Sequence, residues 1–256
     1  MTPLLETRGL SKTFGGLKAV QNVDLCVGTN RIVSVIGPNG AGKTTFFNCL
    51  SGIYCPDGGA ILLDGRDITG RAPHQVCQLG LSRTFQNIRL FPEMSVLENV
   101  LVAQFQHRSI SPLPLLFRSK HFCDQEKSSR DEALGFLDFV GLARYADAVS
   151  SNLAYGLQRR LEIARALATK PRLLLLDETA AGMNPQETVE MVALISRIRE
   201  RGLAILLIEH HMKVVMSISD EILVLDHGIP IAHGAPEKVR NDPQVIKAYL
   251  GEEITH

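Results

Sequence analysis

Between positions 37 and 45 the chain reads Gly37-Pro38-Asn39-Gly40-Ala41-Gly42-Lys43-Thr44-Thr45, which fits the pattern G-x-x-x-x-G-K-[ST] without a mismatch. The run before it, Arg31-Ile32-Val33-Ser34-Val35-Ile36, is β-branched and apolar like a buried strand, and Thr45 to Leu50 continues as an amphipathic helix. Strand, glycine loop and helix in that order confine the chain to α/β folds that seat phosphate at a helix N-terminus. The glycines let backbone N–H groups turn inward around phosphate oxygens, the helix end adds partial positive charge, Lys43 reaches the outer phosphates and Thr44 offers a hydroxyl to Mg²⁺.

A second apolar run, Arg172-Leu173-Leu174-Leu175-Leu176-Asp177-Glu178, delivers two carboxylates at a strand's C-terminal end, where parallel sheets place ligands. Neighbours on a strand point to opposite sides, so the two carboxylates take different tasks: Asp177 in a Mg²⁺ shell beside Thr44, Glu178 polarising a water for attack on a terminal phosphate. Leu203 to Ile208 is another buried strand, and it ends on Glu209-His210-His211. His210 can meet a phosphate oxygen or the attacking water, although a lone histidine is more often structural.

The rest of the 256 residues can be read in order. Leu4 to Val27 reads as two short strands around Gly15-Gly16, with Phe14 either an adenine platform or a cap on the core. Ile61 to Gly65 is a strand and turn, Pro73 opens a helix reaching Gly80, and Leu81 to Gln86 is an apolar strand ending on an amide. Between Glu93 and Ala148 the period turns helical, which points to a separate helical lobe. Inside it, the stretch from Arg108 to His121 holds Pro112 and Pro114 and is not a regular helix throughout. Asn152 to Arg160 forms a glycine loop before an alanine- and leucine-rich helix, a second candidate anion site. Val189 to Arg201 is a charged amphipathic helix, followed after the histidines by two short strands and two helices, the last ending near Leu250.

Composition removes several classes. Lys plus Arg and Asp plus Glu both number 27, so no net basic field favours nucleic acid. The five cysteines form no C-x-x-C and read as reduced core thiols of a cytosolic protein. Met1 to Leu10 lack the apolar core of a signal peptide, and no stretch approaches the roughly 20 apolar residues of a membrane span. The expectation is a chain that neither crosses a membrane nor is exported by itself.

Taken together, the phosphate loop, Gln86, the helix led by Gly156, Asp177-Glu178 and His210, in this order, resemble the ATP-binding cassette family over essentially the whole chain. The resemblance implies one nucleotide-binding domain over 4–254, with an antiparallel β subdomain and a helical subdomain at about 87–165 inserted in a RecA-like core. It implies ATP and Mg²⁺ as ligands, with Phe14 stacking on adenine and residues 37–45 and Asp177 holding the nucleotide. Glu178, His210 and Gln86 are then catalytic, and Thr44, Gln86 and Asp177 face the metal, partly through water. Leu153-Ala154-Tyr155-Gly156 is similar to the signature L-S-G-G-Q, which completes the ATP site of a facing subunit, so a dimer is implied. Ala154 stands in place of the signature serine, Leu157 of a polar residue, Thr179 of a proline and His211 of an aspartate. The loss of a hydroxyl donor at Ala154 implies the slower of two ATP sites.

The wording Arg83-Thr84-Phe85-Gln86, Arg89-Leu90-Phe91, Ala180-Ala181-Gly182, Ile208-Glu209-His210 and Ala248-Tyr249-Leu250-Gly251 is similar to that of ATPase subunits of bacterial branched-chain amino-acid importers. That branch implies a second, different cassette subunit as partner, or a homodimer in isolation. It also implies two permeases, indirectly a periplasmic or extracellular solute-binding protein, and a place on the cytoplasmic face of the inner membrane. Alternatives within the family are a urea or amide importer and the lipopolysaccharide-export ATPase. A soluble non-transport cassette is disfavoured by the single cassette, and a small-molecule phosphotransferase leaves Gly156 unexplained.

Overall fold

A computed structural model describes residues 3–105 and 120–253. The chain divides into two compact units, Met1–Arg83 with Arg172–His256, and Thr84–Pro171.

The first unit holds two sheets. Strands β1 (Leu5–Phe14), β2 (Leu17–Val27), β4 (Gly58–Leu63) and β5 (Arg66–Asp67) form an antiparallel sheet in the order β2-β1-β4-β5. The other sheet runs β10 (Ile229–Gly234), β9 (Glu221–Asp226), β3 (Ile32–Ile36), β8 (Ala204–Ile208), β7 (Leu173–Asp177), β6 (Leu81–Arg83). All its pairings are parallel except β9 with β10. Every residue of β3, β7 and β8 is buried, as a parallel sheet covered on both faces requires, and that is why these strands read as unbroken apolar runs. Each fully buried leucine contributes about 1.5–3 kcal/mol over exposure. Helix α1 (Lys43–Leu50) sends Phe46 and Phe47 into the same core as Val33, Val35, Leu173 and Leu206.

Register decides where the chemistry can sit. Val35 pairs with Ile208, and Ile208 pairs with Asp177. The chain therefore leaves β3, β7 and β8 at one edge of the sheet, and there it delivers residues 37–42, Glu178 and Glu209-His210. Helices α2 (Pro73–Gln78), α6 (Pro185–Glu200), α7 (Met212–Ile218), α8 (Pro236–Arg240) and α9 (Pro243–Glu253) complete this unit.

The second unit contains α3 (Val96–Gln104), α4 (Lys120–Phe139) and α5 (Tyr155–Ala168). Ser95 caps α3: its side chain accepts from the Glu98 N–H at 3.1 Å and its N–H donates to the Glu98 carboxylate at 2.8 Å. Val96, Leu97, Val100, Ala133, Leu137, Val140, Leu161 and Ala164 are buried.

The structure changes several expectations. Strands β1 and β2 are not short but run 10 and 11 residues. The strand expected to reach Gln86 ends at Arg83. Helix α6 starts at Pro185 rather than Val189, because Asn184 accepts from the Glu187 N–H and proline fits the first helical position. Of the cysteines read as core thiols, Cys49 is buried, whereas Cys26 and Cys55 are exposed. The proline-bearing excursion lies, as far as residue 119, outside the described residues. No helix among the described residues is long and apolar enough to cross a membrane.

Candidate functional site

The phosphate loop takes its shape from two crowded glycines and one buried lysine. A Cβ on Gly37 would meet Leu225 O at 2.0 Å, and one on Gly42 would meet Ala19 O at 2.1 Å; their φ values are +146° and +96°. Only glycine fits both constraints. Lys43 Nζ donates to Gly37 O and Pro38 O, each at 2.7 Å, so the loop curls around the amine. The backbone bond that joins α1 to its N-cap runs from Phe46 N–H to Gly42 O at 2.9 Å, and the first N–H groups of any helix point out of its end with no helical carbonyl to meet. No side chain caps this end, and its first turn holds no acid. Pro38 and Ala41 are buried, while Asn39, Gly40 and Thr44 face outward. An uncapped helix end and a lysine-bearing loop with exposed backbone make an anion cradle.

At the neighbouring strand ends, Asp177 is buried and its Oδ2 accepts from Arg83 Nη2 at 2.7 Å. Glu178 has already left the strand, with φ +50°. The two carboxylates thus diverge through a left-handed turn and not through strand alternation, which corrects the sequence reading. His210 Nε2 lies 2.7 Å from Glu178 Oε1. Glu209, next to it, is buried and accepts from the Ala180 N–H at 2.8 Å. Burial raises its carboxyl above the usual carboxylate range, opposed by the Ala180 N–H. Glu209 therefore ties the turn after Glu178 to the chain entering His210, a role that its place at a strand end did not reveal.

Phe14, at the end of β1, is 40% exposed. Its ring meets Tyr54 edge-on, with centroids 5.2 Å apart, and Lys12 Nζ lies 5.3 Å from its centre. An aromatic ring that reaches the surface is what stacking on a base requires.

The remaining expected residues belong to the second unit. Gln86 lies outside any strand and is exposed. Its backbone carbonyl accepts from Arg159 Nη2, and that of Phe85 accepts from Arg159 Nη1 at 2.6 Å. Arg159 is buried, also reaching Tyr155 Oη at 2.8 Å and Glu162 at 3.3 Å. Burial pushes the Glu162 carboxyl up, against the pull of the Phe85 N–H and Arg159. Helix α5 begins at Tyr155, so Gly156 lies in its first turn and not in a loop before it. Ala154 is the N-cap and makes no side-chain capping bond, Gln158 Nε2 donates to Leu153 O at 2.9 Å, and the first turn carries no acid. Leu153 is buried, Ala154 and Tyr155 are exposed.

Residues 20–181 match the family model described as ABC transporter. The chain belongs to the ABC transporter family. Within this ABC chain, residues 230–255 also match a model described as branched-chain amino acid ATP-binding cassette transporter. It is 53% identical to the high-affinity branched-chain amino acid transport ATP-binding protein BraF of Pseudomonas aeruginosa, over 98% of both chains. It is 51% identical to the corresponding protein LivG of Escherichia coli, again over 98% of each. A crystal structure of the ADP conformation of an ATP-binding cassette from an ABC transporter superposes with a TM-score of 0.84 at 31% identity, covering 98% of this ABC chain and 100% of the other.

Proposed function

We propose that this chain binds and hydrolyses ATP to drive an importer of branched-chain amino acids. The observation that carries the hydrolytic part is the Glu178–His210 contact of 2.7 Å at the same sheet edge as the uncapped, lysine-bearing phosphate loop. The cargo rests on the relatives named for branched-chain amino acid transport and on the match at 230–255.

In this reading residues 37–45 cradle the phosphates through backbone N–H groups, and Lys43 turns from its loop carbonyls toward the outer phosphates. Thr44 and Asp177 would hold Mg²⁺; the uncapped N-terminus of α1 and a buried carboxylate suit a metal-bound triphosphate. When bound, the cation neutralises charge on the phosphates. Glu178 accepts a hydrogen bond from the attacking water and orients it, and His210 holds Glu178 in place. Phe14 stacks on the adenine. The Leu153–Gly156 end of α5 serves the nucleotide of a facing cassette, which makes the working form a dimer.

The partners are a second cassette subunit and two permeases, with a solute-binding protein delivering cargo to them, and the chain sits on the cytoplasmic face of a bacterial inner membrane. Extracting the tagged chain from its native membranes in mild detergent and identifying what co-purifies tests this. Two multi-span permeases and a second cassette, with leucine, isoleucine or valine uptake lost on deletion, is the expected result. Recovery with export machinery, or uptake unchanged by deletion, contradicts the importer reading.

A further inference from the structure

Arg83 closes β6, the edge strand beside β7, and its side chain is only 5% exposed. Nη2 donates to Asp177 Oδ2 at 2.7 Å, and that carboxylate is itself 3% exposed. Nη1 donates to Asn48 Oδ1 at 2.7 Å and to Ser51 Oγ at 3.0 Å. Asn48 lies on α1 and Ser51 is its C-cap. The guanidinium carbon also stands 5.6 Å from the centre of the Phe47 ring. One side chain thus fastens the carboxylate at the end of β7 to the helix that begins at the phosphate loop. A buried ion pair is seldom worth more than two well-packed apolar side chains. Such a pair has a reason to exist where one member must be charged for another purpose.

We propose that Arg83 is a positioning residue that stands in for the divalent cation: its guanidinium compensates and fixes Asp177 while the site holds no metal. The proposal rests on Asp177 belonging to the cation shell. The geometry favours arginine, because a guanidinium reaches the carboxylate and the two α1 acceptors at once while a lysine amine offers one point of attachment. The carboxylate is thereby held in place before a metal-bound nucleotide arrives.

Thermal unfolding of the purified full chain without nucleotide, with and without millimolar MgCl₂, tests this on Arg83→Gln, Arg83→Lys, Asp177→Asn and the double variant Arg83→Gln/Asp177→Asn. Arg83→Gln should lower Tm by roughly 10 °C, Mg²⁺ should restore part of that loss, and wild type should not respond to Mg²⁺. Arg83→Lys, which keeps the charge but not the three simultaneous bonds, should fall between wild type and Arg83→Gln. The double variant should unfold above Arg83→Gln, because no buried charge is left uncompensated. A loss in Arg83→Gln that Mg²⁺ does not change, or a double variant no more stable than Arg83→Gln, overturns the proposal. If Arg83→Gln does not fold, the double variant decides: it must fold, and its failure overturns the proposal. A separate titration of Mg²⁺ against a fluorescent ATP analogue isolates the underlying reading. If Asp177→Asn keeps the wild-type Mg²⁺ requirement, Asp177 is not in the cation shell, whatever Arg83 does.

Discussion

His210 Nε2 stands 2.7 Å from Glu178 Oε1 across the ends of two adjacent strands. Glu178 is held at φ +50°, a region that residues other than glycine seldom occupy unless their surroundings keep them there. The bond from its N–H to Ile208 O, at 2.9 Å, fixes the backbone, and the imidazole fixes the carboxylate. His210→Ala should lower ATP turnover on the order of 10²-fold with nucleotide affinity nearly unchanged. Steady-state hydrolysis and equilibrium binding on one preparation check both; loss of binding with intact turnover would place His210 elsewhere in the mechanism.

Two glycines of the phosphate loop predict losses of different size. A Cβ on Gly42 has a carbonyl oxygen 2.1 Å away, whereas one on Gly40 meets nothing within 4 Å although φ is +75°. Gly40→Ala should therefore cost only the left-handed penalty, about 1–2 kcal/mol, and Gly42→Ala considerably more. Urea unfolding of the two variants gives the comparison, and equal losses would contradict the crowding at Gly42.

The legible part of the molecule was local. The glycine loop, the strand before it and the helix after it lie within twenty residues, and the all-leucine run of β7 announces a strand buried on both faces. The Asp177 partner of Arg83 and the Phe85 and Gln86 partners of Arg159 were not legible, because they lie 94 and 73–74 residues away along the chain. The turn at Glu178 escaped because neither glycine nor asparagine marks it; backbone and side-chain bonds impose it instead. Gly156 misled for the opposite reason: it sits in a helical turn without positive φ, so its presence did not mean a loop.

Arg159 supports a different part of the second unit. Arg159→Met leaves Glu162 buried without its cation and removes the donor from the Phe85 and Gln86 carbonyls. The expected loss is about 3–5 kcal/mol, measured by urea denaturation. A loss under about 1 kcal/mol would mean that the Glu162 charge is compensated by other groups.

Glu209 makes stability depend on pH with a definite sign. Its folded carboxyl titrates above the unfolded value of 4.5, so its favourable contribution is complete below that value and is lost as pH rises through the folded pKa. Once ionised, the buried Glu209 therefore costs stability. Glu209→Gln keeps an acceptor for the Ala180 N–H and has no charge to desolvate. Relative to wild type, its stability should rise with pH above the unfolded value of 4.5, which thermal melts across that range would show. A stability difference that stays flat over the range would exclude a raised carboxyl.

ATP hydrolysis by the purified chain and by Glu178→Gln, each measured with Mg²⁺ and beside nucleotide affinity, tests the reading of the site most directly. Wild type should turn over ATP only with Mg²⁺, while the variant should bind ATP with unchanged Kd, hydrolyse it at least about 10²-fold more slowly and accumulate as a closed dimer. Equal turnover by the two proteins would show that Glu178 does not orient the water, and would leave the Glu178–His210 contact a structural one.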